Sequence, residues 1–283
     1  MTIAAVADEL DTAWREHRPF LASEDGLCAY DDRVPDLTVE AEDAYRAALG
    51  RLARRARDLD ETALTFADAV TRDVVLDAAQ RELTLLESGG LEHTVAPVMT
   101  EGPTALLTVA SRTVLRRPQD ASAYLARCRA MPAYLRAHVA RLQEGARHDR
   151  RPVAALVQAA TRQVDEALAS GGNKLASVPP PPGWVGAEAW QQQVARASDA
   201  AARALGDWRA AVAALAVRAD DACGLCHLPG GEGDYAALAR AHTTLDVTPA
   251  EVHALGRAQV EALHDAVVEL GGVLGHAGLE ATM

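Results

Sequence analysis

Apolar residues recur at helical spacing through almost the whole chain. Residues 2–18 form an amphipathic stretch that Pro19 ends, and the polar, mixed segment 19–38 reads as a long ordered loop. The pattern predicts helices over 39–58 and 61–88, the second stopped by Gly89-Gly90. It predicts another over 102–115, broken at Arg117-Pro118. Asp120 suits an N-cap for 121–131, and Pro132 suits the first turn of a new helix reaching 147. A further helix covers 152–169.

Residues 170–186, SGGNKLASVPPPPGWVG, interrupt the pattern. Four consecutive prolines fit neither a helix nor a central strand, so they read as a stiff extended spacer. This divides the chain into a helical region at 1–170, a Gly/Pro-rich linker at 171–186 and a second helical region at 187–283. The second begins with a helix over 187–222, a Gly-rich loop over 223–233 and a short helix over 234–242. The β-branched run 243–247, TTLDV, is the one strand candidate. Thr248, Pro249 and Glu251 then form a capping box with proline at the first helical position, opening a helix that runs to 270, where Gly271-Gly272 ends it. The predicted fold class is all-α, built from helical hairpins with at most that one short strand.

Composition sharpens this reading. Hydrophobic residues make up 49% of the chain, but aromatics only 4%, so the core must be built from Ala, Leu and Val, which favours packed helices. The net charge of −12 repels phosphate backbones and argues against nucleic acid. The N-terminus lacks the basic start and apolar run of a signal peptide, and no stretch approaches the roughly 20 apolar residues of a membrane span. The expected location is cytoplasmic, away from membranes, with Cys28, Cys128, Cys223 and Cys226 as thiols.

Several patterns bear on chemistry. Cys223-Gly-Leu-Cys226-His227 matches the haem-attachment spacing, but nothing marks the chain for export. Cys223, Cys226 and His227 supply part of a zinc set and lack a fourth ligand. A redox role for the C-x-x-C has no βαβ context around it, so two incidental loop thiols are the simpler reading. His253 and His264 lie 11 positions apart on one predicted helix, roughly 16 Å at about 1.5 Å per residue, too far to share a metal. Glu261 and His264 form a single E-x-x-H pair, where a di-iron bundle needs two. His253 sits in the first turn of its helix, a reasonable place for a cleft residue, although a solvated helix face is the simpler account. The sequence contains no H-E-x-x-H, no phosphate-binding loop and no nucleophile elbow.

Three stretches carry a resemblance: AWREHRPFLASEDGLCAYDD near the start, ASAYLARCRAMPAYLRAHVARLQEG at 121–145, and GLCHLPGGEGDYAALARAHTTLDVTPAEVHALG at 224–256. They resemble the bacterial family called domain of unknown function 885, whose long members look like zinc peptidases of the H-E-x-x-H class. The third stretch is the most specific. It holds Gly224, Leu228, Pro229, Gly231 or Gly233, Tyr235, Thr243, Thr244, Thr248, Pro249, Glu251, His253 and Gly256 in the family's pattern. In the second, Cys128 stands where the family usually has Leu.

The resemblance covers this chain but only about the first half of a full-length member. It implies the N-terminal half of a zincin-like helical scaffold, walling one side of a peptide cleft. Tyr235, Thr243, Thr244 and His253 carry over as cleft-facing residues. No catalytic, cofactor-binding or zinc-binding residue carries over; zinc is expected only with the half that is absent. Three accounts stay open: a truncated N-terminal piece of a longer peptidase, one subunit of a split enzyme whose second chain bears H-E-x-x-H, or a stand-alone, non-catalytic binding or scaffold protein. The tail VLGHAGLEATM finishes no recognisable element, which favours the first two. Either predicts an uncovered apolar face open to a partner or to self-association.

Overall fold

A computed structural model of the chain describes residues 2–95, 113–169 and 174–274. Among these residues the structure is helical, with one isolated parallel bridge between Val153 and Arg218. The expected helix over 102–115 falls almost entirely outside the described residues, as does the start of the Pro-rich segment.

The helices are α1 (Ile3–His17), α2 (Pro19–Glu24), α3 (Val39–Arg57), α4 (Phe66–Glu87), α5 (Pro118–Arg147), α6 (Ala154–Ala169), α7 (Ala187–Ala213), α8 (Gly231–Thr243) and α9 (Pro249–Val273). Threonine side chains open four of them: Thr2, Thr38, Thr65 and Thr248 each accept a backbone N–H of the first turn. Gly89, with φ of 60°, closes α4 in the left-handed conformation that its lack of a Cβ permits.

Several boundaries differ from the sequence pattern. The segment 19–38 contains α2 and a single 3₁₀ turn at Cys28–Tyr30, because Pro19 starts a helix as readily as it ends one. The helix expected from 61 begins at Phe66, since Asp60 caps a separate short turn and Thr65 caps α4. Asp120 is not an N-cap. It sits in the first turn and accepts the backbone N–H of Arg116 and Arg117.

Pro132 lies inside one continuous 30-residue helix and does not start a second one. An interior proline costs about 3 kcal/mol. Cys128, Met131, Leu135 and Leu142 are all buried along the same helix, and burying a large aliphatic side chain gains about 1.5–3 kcal/mol. The helix expected over 187–222 stops at Ala213, where Arg218 turns back to pair with Pro152 and Val153. The run 243–247 forms no strand: Thr243 ends α8, Thr244 adopts φ of 58°, and among the described residues no neighbouring segment offers ladder hydrogen bonds. A β-branched composition without a pairing partner does not make a strand.

Among the described residues, two apolar cores result. The larger gathers α5, α6 and α7 around Trp190, Trp208, Met131 and Leu135. Leu175 and Val178, from the Pro-rich segment, are buried in it, and Tyr124 donates its hydroxyl to the Leu175 carbonyl at 2.8 Å. The smaller packs α1, α3 and α4 through Ile3, Val6, Leu49, Val75 and Ala79. Charged side chains line the region between them. Arg141 of α5 pairs with Glu42 of α3 at 2.7 Å, and Arg18 pairs with Glu82 at 2.6 Å. Glu82 also accepts the Tyr45 hydroxyl at 3.2 Å.

Candidate functional site

The motif-rich residues form the stretch from Arg218 to α9. Arg218 anchors its start: the guanidinium donates to the Arg151 carbonyl at 2.8 Å and to the Ala222 and Gly224 carbonyls, both at 2.7 Å. Burial lowers the Arg218 pKa, and the nearby Cys223 and Cys226 oppose that shift. Two short 3₁₀ turns, Asp220–Ala222 and Leu225–His227, follow. The second is the seat of α8. A Cβ on Gly231 would lie 1.7 Å from the Leu225 carbonyl oxygen, so only glycine fits at the first position of this helix.

Arg150 clamps α8 to the rest of the molecule. Its Nη1 reaches the Pro229 carbonyl at 3.2 Å, and its guanidinium contacts Asp234 of α8 at 3.4 Å, Glu92 at 3.1 Å and the Ser88 carbonyl. His93, beside this clamp, has its pKa lowered to about 4, first by burial and then by the charges of Arg150 and Arg218. It is a neutral side chain near neutral pH. No local pattern marks Arg150, Glu92 and Asp234 as a unit, because they are far apart along the chain.

The four cleft candidates lie on α8, α9 and their junction. Tyr235, in α8, is half exposed. The Thr243 hydroxyl donates to the Ala239 carbonyl at 2.7 Å and accepts the Leu245 N–H at 3.2 Å, so it holds the end of α8. Thr244 donates to the Thr243 carbonyl at 2.6 Å. His253 is exposed in the first turn of α9. Among the described residues, no hydrogen bond joins Tyr235 or His253 to the threonines or to each other. Cys223, Cys226 and His227 are all exposed. Among the described residues, no group of three or more His, Cys, Asp or Glu side chains is placed to hold a metal ion.

α9 is the most exposed element. Its capping box forms as the sequence predicts: Thr248 accepts the Glu251 N–H, and the Glu251 carboxylate accepts the Thr248 N–H at 2.8 Å. Those bonds, backbone first, lower the Glu251 pKa. Val252, Leu255, Leu263, Val267, Leu270 and Leu274 recur at helical spacing and share one face. Of these, Leu255 is 61%, Leu263 64% and Leu270 58% exposed, values normally found for polar residues on a helix surface. No described helix is long and apolar enough to cross a membrane.

Comparison with known proteins places this geometry. The chain is similar in fold to the crystal structure of "the putative lipoprotein from Colwellia psychrerythraea", at a TM-score of 0.74 and 13% identity. The match covers 96% of this chain and 51% of that one, so the chain spans about half the length of the solved relative. No curated protein matches it. A family model described as "Bacterial protein of unknown function (DUF885)" matches residues 19–283. That match takes in α2 through α9 and both short turns that follow the Arg218 anchor, and on it the chain belongs to this bacterial family.

Proposed function

We propose that this chain forms one helical wall of a peptide-binding cleft in a zinc-metallopeptidase-like assembly, and that the zinc ligands come from outside these residues. The observation that carries the reading is the uncovered apolar face of α9. An amphipathic helix of 25 residues gains most of its stability from packing that face, and here, among the described residues, Leu255, Leu263 and Leu270 of that face stay mostly exposed. About half of the solved relative's chain lies outside the matched part, which is of the right scale to supply that cover. In this reading α8 and α9 present Tyr235, Thr243, Thr244 and His253 towards a bound peptide. An H-E-x-x-H segment, in a second chain or a continuation of this one, holds the metal and activates water. The location proposed is cytoplasmic.

The test begins by sequencing the coding DNA beyond codon 283 and expressing any H-E-x-x-H-bearing segment found there. Peptide hydrolysis is then measured for this chain, for that segment and for the two combined, with zinc and with a chelator. Turnover is expected only for the combination, and only without chelator. Chelator-sensitive turnover by this chain alone, or none by the combination despite a stable complex, overturns the reading. In the second case the chain is better described as a binding scaffold.

A further inference from the structure

The turn that seats α8 contains two thiols that the cleft reading leaves unused. Cys223 and Cys226 are both exposed and separated by Gly224 and Leu225. A Cβ on Gly224 would lie 3.1 Å from the Cys226 sulfur, so that sulfur leans back along the chain, over the glycine that follows Cys223. Arg218 donates to the carbonyls on either side of Cys223, which places a permanent positive charge beside both sulfurs. Such electropositive, accessible settings are where cysteines react.

We propose that Cys223 and Cys226 form a redox-active dithiol, which a low-molecular-weight disulfide such as oxidised glutathione converts to an intramolecular disulfide. One thiolate attacks the small disulfide, forms a mixed disulfide and expels one small thiol. The second cysteine attacks the mixed disulfide, closes the protein bond and expels the other small thiol. Two protein thiols are oxidised, and one small disulfide is reduced to two thiols. Closure requires Cα atoms about 4.4–6.8 Å apart. Gly224 holds an extended conformation, φ −68° and ψ 154°, and has no side chain to resist the rotation that tightens the turn. The change reaches α8 directly. Leu228 donates its N–H to the Leu225 carbonyl at 2.8 Å, Gly231 donates to Leu228 at 3.0 Å, and Leu225 packs under Gly231.

The experiment equilibrates the full chain in glutathione redox buffers, traps free thiols with an alkylating agent and maps them by mass spectrometry. The expected result is joint loss of two of the four alkylatable thiols, those of Cys223 and Cys226, in a single transition with no glutathione retained on either. Cys226→Ser should instead hold a stable glutathione adduct on Cys223. Hydrogen exchange in the first turn of α8 should differ between oxidised and reduced wild type and not respond to the same buffers in Cys226→Ser. Separate glutathione adducts on both wild-type cysteines, or disulfides between chains, overturn the proposal. A closed disulfide with unchanged exchange in α8 overturns its link to that helix.

Discussion

His138 is fixed in one form by its partners. Trp208 donates its Nε1–H to His138 Nδ1 at 3.1 Å, so the ring proton sits on Nε2, facing the Thr94 carbonyl at 3.4 Å. Burial holds its pKa at about 4, and His17 and His93 are lowered to about 4 with burial again the largest cause. Each binds a proton more weakly folded than unfolded. Their contribution to stability is therefore complete above the unfolded value of about 6.5 and is lost as pH falls from there towards 4. Urea midpoints measured across this range should drop steadily; a flat profile would contradict the neutral burial of these rings. Trp208→Phe keeps the aromatic packing but leaves His138 Nδ1 without its donor. An unsatisfied buried group costs about 1–3 kcal/mol, so the variant should unfold at correspondingly lower denaturant. The sequence shows His138 only as one more residue of a helix; its partners lie 44 and 70 positions away.

At the scale of elements, close approach singles out particular glycines. α5 crosses the turn at Gly90–Glu92 so tightly that a Cβ on Gly145 would lie 2.1 Å from the Glu92 carbonyl oxygen. Backbone cannot swing aside as a side chain can, so Gly145→Ala should cost about 1–3 kcal/mol or more. Gly206, inside α7, has open space around its Cβ position, and Gly206→Ala should stabilise by about 0.5–1 kcal/mol. Thermal melts of the two variants should move in opposite directions. Most of the described helices are legible, because apolar spacing and threonine or glycine caps are local signals; α2, inside a segment that reads as a loop, is not. The capping box at Thr248 is the clearest instance. What escaped was set by distant contacts. Pro132 stays helical because buried residues on both sides of it pack into one core, and TTLDV lacks a partner strand among the described residues, which no local pattern could reveal. Tyr235 and His253 fall on helices that the pattern predicts, whereas Thr243 and Thr244 fall on a strand that does not form, and Arg150 and Arg218, which position those helices, carry no local mark.

For the whole molecule, the exposed face of α9 makes a direct prediction. Light scattering after size exclusion should show concentration-dependent self-association of the isolated chain. Leu263→Glu with Leu270→Glu should abolish it, since the two residues lie on the same face and are both mostly exposed. A wild type that stays monomeric at high concentration would mean the face is tolerated by solvent. The layer of charge between the two apolar cores has a different consequence, one of cooperativity. Glu42, Arg141, Glu82 and Arg18 lie where a single continuous core would place aliphatic side chains, and little apolar contact ties the melting of one core to that of the other. The α1, α3 and α4 unit should therefore lose its structure at a different temperature from the α5, α6 and α7 unit. Calorimetry should record a van't Hoff enthalpy well below the calorimetric one, the signature of a chain that comes apart in stages.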